Sequence, residues 1–206
     1  MPRIRIATGC HPHNAKHYDD ALEAALRERL ADPRVCAVGE IGLDYHYDFS
    51  PRDDQRQAFR RQVRLAKECG LPVVLHVREA HAEAFSLMQE EGFPEAGTLL
   101  HCFNLDWATL EPWVEAGCHV AFGGPLTFKK ADEVREAASK VGGPSSNAST
   151  MVHTNDTRCA AQRANASAGS GSSCRCAWVS ATGASNRGAS TMRYSPFLRF
   201  WRNSVS

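Results

Sequence analysis

No stretch of the 206-residue chain approaches the roughly 20 consecutive apolar residues that a membrane-spanning helix needs. The segment Met1 to Ala7 lacks the apolar core of a signal peptide. Eight cysteines are scattered through the chain, and none forms a CxxC pair. The single CxC, Cys174-Arg175-Cys176, has no second pair to complete a zinc site. These absences point to a reduced, cytoplasmic protein with no membrane segment and no implied stable protein partner. Cys10, Cys102 and Cys118 fall in strand or strand-end contexts, where a small buried thiol is expected. Lysine disappears after Lys140, and only one acid, Asp156, follows it. The net charge of +1 therefore conceals an acidic first part and a basic, Arg-bearing tail. A tail of that kind holds nucleic acid loosely and with strong salt dependence.

What is present is an alternation of short apolar runs with helix-like segments. Ile4–Thr8, Val35–Val38, Leu71–His76, Thr98–His101 and His119–Phe122 read as strands. Between and after them, residues 19–31, 51–70, 79–91, 106–116 and 129–141 read as helices. Leu22, Leu26 and Leu30 recur at helical spacing. Ser50 is a candidate N-cap before Pro51, and Gly70 a stop. Five β/α units in series predict a parallel sheet with its strand ends on one face. In a (β/α) barrel, the carboxyl-terminal ends of the strands carry the active site. Three sites fall at such ends: Gly39-Glu40-Ile41-Gly42-Leu43-Asp44, then Leu75-His76, then Leu100-His101-Cys102. A carboxylate and two imidazoles converging there would make a seat for a catalytic metal ion. A complete barrel needs roughly 250 residues, so the chain is short for that fold.

After Val141 the character changes. Residues 142–206 are rich in Ser, Ala, Arg, Gly and Asn and show no regular apolar period before Tyr194. Such a composition buries too little apolar surface to offset the entropy of ordering. The expectation is two regions: a partial barrel over 1–141 and a disordered or aberrant tail over 142–206. The Asn-x-Ser/Thr matches at Asn147, Asn155 and Asn165 are read as chance.

Together these stretches resemble the TatD family of metal-dependent hydrolases. The likeness is carried by Gly9-Cys10-His11-Pro12-His13, Gly39-Glu40-Ile41-Gly42-Leu43-Asp44-Tyr45 and Ser50-Pro51-Arg52-Asp53-Asp54-Gln55. It continues through Leu75-His76-Val77-Arg78-Glu79, Leu100-His101-Cys102-Phe103 and Phe122-Gly123-Gly124-Pro125-Leu126-Thr127-Phe128-Lys129. The resemblance implies a TIM-like barrel that hydrolyses phosphoester bonds, often in DNA, with two divalent metal ions. Glu40 would correspond to the catalytic carboxylate that bridges both ions, and His76 and His101 to the imidazoles of one metal site. The family's other site takes a His-x-His from the first strand and an Asp from a Glu-Thr-Asp context near the last. Neither is present here, which leaves about five of the eight β/α units. The loss of likeness after Val141 is what a shifted reading frame would produce.

The expected function is a TatD-type deoxyribonuclease acting on DNA or another phosphodiester, impaired by the missing ligands. It would use Mg2+, Mn2+ or Zn2+, with one ion here where the intact family holds two. The alternatives are a catalytically inactive fragment binding at most one ion and a related hydrolase of C–N bonds. His11 and His13 are read as substrate-facing, with plain loop structure or direct metal binding as alternatives. Arg78 could grip a phosphate with its planar fork, or instead pair with Glu79 or Asp44. Asp44 would orient a ligand histidine. His17, His46, His81, His119 and His153 are read as surface or packing residues.

Overall fold

The computed structural model describes residues 5–141 and, as a strand, 150–152. The sheet is six-stranded and parallel throughout, with each strand beside its neighbour in sequence: β1 Ile6–Thr8, β2 Val35–Asp44, β3 Val73–Arg78, β4 Thr98–Phe103, β5 His119–Phe122 and β6 Thr150–Val152. The connecting helices are α1 Asp20–Leu30, α2 Arg52–Glu68, α3 His81–Glu91, α4 Trp107–Glu115 and α5 Asp132–Val141. Short 3-10 turns cover Pro12–His17 and Gly124–Thr127. Sequential parallel order is the arrangement of consecutive barrel strands. The strand Thr150–Val152 lies within the segment for which no element is expected; it pairs with β5. The rest of 142–206, with Asp156, His153 and the last three cysteines, lies outside the described residues.

The core follows from side-chain alternation along the strands. One face of the sheet contributes Val38, Ile41, Leu43, Val73, Leu75, Leu100, Val120 and Phe122 to the packing against the helices. The other face presents Val74, Leu99 and Ala121. Strands apolar on both faces read as nearly continuous hydrophobic runs, which is why they stand out in the sequence. Among the described residues no helix is long and apolar enough to cross a membrane.

Four local readings are corrected. β2 does not stop at Val38 but runs to Asp44, so Glu40 belongs to a strand rather than to a following loop. Gly42 permits this: its φ is +140, and a Cβ there would collide with the carbonyl oxygen of its register partner His76. Ser50 does not cap α2. Its hydroxyl is buried, donates to His13 O at 2.9 Å and accepts from Lys16 N at 3.1 Å, while Pro51 occupies the cap position without a side-chain bond. Helix α3 starts at His81, because Glu79 adopts a φ of +54 that cannot begin a right-handed helix. Cys102 is exposed, with φ +51, whereas Cys10 and Cys118 are buried as expected.

Candidate active site

A register shift between Gly39 and Ile41 takes Glu40 out of the helix-facing series Val38, Ile41 and Leu43, while His76, Arg78 and His101 lie toward the carboxyl-terminal ends of β3 and β4. Glu40 Oε1 lies 2.8 Å from Nδ1 of His101. Both side chains are partly open to solvent. The other nitrogen of His101 faces Cys102 Sγ at 3.5 Å. The Cys102 sulfur and the Glu40 carboxylate together push the His101 pKa up to about 10. The hydrogen bond from His101 in turn holds the Glu40 carboxyl below its usual range.

A second group centres on Asp44, the last residue of β2, which is fully buried. Its Oδ2 accepts from Nε2 of His13 and from Nε2 of His76, both at 2.9 Å. Its Oδ1 accepts the backbone N–H groups of His46 at 3.1 Å and Tyr47 at 3.0 Å. Burial disfavours the Asp44 charge, but these hydrogen bonds outweigh it and hold the carboxyl well below the carboxylate range. In its neutral form, a ring that donates Nε2–H to Asp44 keeps its lone pair on Nδ1.

His11 closes the group. Its ring lies 4.5 Å from that of His76 and 4.3 Å from that of His13, centroid to centroid. Its Nδ1 accepts the His13 backbone N–H at 3.2 Å, which puts the ring proton on Nε2. Burial, with His76 and His13 close by, lowers the His11 pKa to about 4, so the ring is neutral at pH 7. Ligand atoms of His11, His13 and His76 all lie within 4.8 Å of one another. The residue pattern grouped Glu40, His76 and His101 instead. The fold pairs Glu40 with His101 and gathers His76 with His11 and His13.

Arg78 forms no ion pair with Asp44 or Glu79 among the described residues; its guanidinium lies over the Tyr47 ring, 4.8 Å from the centroid. Glu79 pairs with His46 instead, at 2.7 Å.

Two buried glutamines of α2, not singled out as site residues from the sequence, hold these segments. Gln55 accepts from Asp44 N at 2.8 Å and donates to Asp44 O at 3.1 Å and Ser50 O at 2.9 Å. Gln62 does the same for Cys10, accepting at 2.6 Å and donating at 3.1 Å. Their signal was in the pattern: both lie on the apolar stripe of α2 with Phe59, Val63 and Ala66, where a polar residue needs a buried partner.

This donor set of imidazole nitrogens and carboxylate oxygens suits a divalent cation of the zinc or manganese kind. The residues therefore fit a metal ion. A family model described as "TatD related DNase" matches residues 1–145. The chain belongs to the TatD family.

Among its TatD relatives, the metal-dependent hydrolase YabD of Bacillus subtilis is 37% identical over 138 residues, 67% of this chain and 54% of YabD. A Rahnella TatD, named a 3'-5' ssDNA/RNA exonuclease, is 40% identical over 116 residues, 56% of this chain and 44% of that protein. The crystal structure of the TatD homolog YJJV from Escherichia coli superimposes with a TM-score of 0.62 at 30% identity, covering 66% of this chain and 53% of YJJV. The chain thus spans about half the length of the curated relatives it matches. Over the matched part it shares the parallel β/α fold of the TatD homolog YJJV.

Proposed function

We propose that this chain carries the hydrolytic site of a TatD-type nuclease, acting on phosphodiester bonds of DNA or a related single strand. The observation that supports this most strongly is the convergence, at the ends of β1 to β4, of the Glu40–His101 pair and the cluster of His11, His13 and His76, the last two joined through Asp44. The exonuclease name of the Rahnella relative supports a nucleic-acid substrate. The five free cysteines among the described residues favour a reducing, cytoplasmic setting.

In this reading Glu40, His101 and His76 hold a divalent cation. When bound, such an ion supplies Lewis acidity at a phosphate oxygen. Asp44 fixes the tautomer and angle of His76 and His13, as a carboxylate behind a ligand imidazole does. Neutral His11 donates its Nε2–H to a non-bridging phosphate oxygen, and His13 faces the same substrate. Arg78 offers a planar fork to a second phosphate. Glu40, ionised at neutral pH, supplies the one negative charge of this ligand set.

One observation favours a variant of this arrangement: the 4.8 Å cluster makes His11, His13 and His76 the ligands. Titration with Mn2+ separates the two. Loss of binding in His101→Ala but not His13→Ala supports the first, and the reverse supports the second. The hydrolytic reading is tested with bis(4-nitrophenyl) phosphate and Mn2+. Turnover that EDTA abolishes and Mn2+ restores is expected; turnover indifferent to EDTA contradicts it.

A further inference from the structure

Exposed apolar side chains are concentrated at one end of the molecule. Among the described residues, the large hydrophobics left open to solvent are Leu22, Tyr47, Phe49, Leu105 and Phe128. All but Leu22 lie on segments that follow β2, β4 or β5, at the same end as the candidate active site. Tyr47 and Phe49 are 48% and 56% exposed, and their rings stack at 5.2 Å with an interplanar angle of 17°. An exposed stacked pair is costly to leave in water and presents a flat apolar face.

This pair is held in place. Asp44 Oδ1 fixes the Tyr47 backbone N–H, and Gln55 fixes Asp44 and Ser50 on either side. The His46–Glu79 pair ties the same loop to the end of β3. The platform is also continuous with the site. His13 packs edge-on against Tyr47 at 5.5 Å and Phe49 at 4.9 Å, and the Arg78 guanidinium sits over Tyr47. A rigid aromatic face beside a cation and a cluster of imidazoles has the chemistry for an unpaired base next to its phosphate.

We propose that Phe49, backed by Tyr47, forms a stacking platform for a nucleobase of a single-stranded nucleic acid whose phosphate lies at the imidazole cluster. A duplex keeps its base faces covered, so the platform selects strands with unpaired bases. It tolerates any base, because every base has a π-face. This inference rests on the nucleic-acid reading of the site and adds what lies beside the phosphate.

The test measures fluorescence-detected binding of the full chain in EDTA, so that no turnover is needed. The probes are a short oligothymidylate and the same strand with abasic positions. The parent chain should bind the base-bearing strand about tenfold more tightly than the abasic one. The double variant Tyr47→Leu, Phe49→Leu should lose that preference, and Tyr47→Trp should keep it. Equal affinity of the parent for both strands overturns the platform, as does a double variant that retains the preference. Because binding is read without hydrolysis, absence of turnover on a phosphodiester leaves this result standing and counts against the hydrolytic reading alone.

Discussion

Glu40 Oε1 and His101 Nδ1 meet at 2.8 Å although their strands, β2 and β4, are separated by β3. Two inter-strand spacings amount to about 10 Å. The carboxylate and the imidazole therefore bridge the end of β3, directly beside His76. This contact links the family's Gly-Glu-Ile-Gly-Leu-Asp stretch to its Leu-His-Cys-Phe stretch in space.

Replacing Glu40 with Gln removes the charge that stabilises the His101 imidazolium. The His101 pKa, about 10 in the folded chain, should fall toward its ordinary value. NMR titration of the histidine ring signals reads this directly. An unchanged His101 would mean that Cys102 alone sets its basicity.

Asp44 is the shared acceptor of His13 and His76. Asp44→Asn puts an amide donor where one of the two rings already donates. Loss of the orienting carboxylate should lower metal affinity or turnover about 10- to 100-fold. The check is a Mn2+ titration of parent and variant, with circular dichroism to confirm the fold.

Gln55 satisfies the backbone on both sides of the β2–α2 loop. Gln55→Leu leaves Asp44 N and Ser50 O buried without these partners, a cost of about 1–3 kcal/mol per group. Urea denaturation should show a lowered midpoint. Gly42→Ala should be destabilising too, on the order of 1–3 kcal/mol or more, since a side chain there is strained at φ +140 and strikes β3.

Acid should weaken the fold over a defined window. Burial lowers His81 to about 4, and it packs edge-on to Phe103 at 5.6 Å. Between its ordinary value of 6.5 and about 4, the unfolded chain binds a proton that the folded chain does not. The His81 contribution to stability therefore falls as pH drops through this window and levels off below it. The loss from His81 is on the order of 3 kcal/mol. His11, also held near 4, acts in the same direction. Urea midpoints at pH 7, 5.5 and 4 follow the decline, and His81→Phe should flatten it.

Much of the fold was legible because a parallel sheet covered on both faces gives uninterrupted apolar runs, and helices such as α2 give a clear stripe. The reading failed where backbone geometry, rather than apolarity, decides. Gly39 and Gly42 look like loop residues, yet Gly42 is what allows β2 to run on against β3. The strand Thr150–Val152 has no hydrophobic signature strong enough to mark it; pairing with β5 makes it a strand. The family motifs supplied the residues of the proposed site but not their grouping. That His13 and His76 share one oxygen of Asp44 is a tertiary fact, and no local spacing encodes it. The aromatic pair Tyr47 and Phe49 was overlooked for a similar reason: alternate aromatics after a strand resemble ordinary loop packing until their exposure is known.

The most direct test of the account is hydrolysis of a single-stranded oligonucleotide by the 206-residue chain with Mn2+, beside Glu40→Gln at the same concentration. The account predicts cleavage by the parent chain, abolished by EDTA and reduced at least about a hundredfold in Glu40→Gln. Equal cleavage by the two chains, or none by a metal-loaded parent, would contradict it.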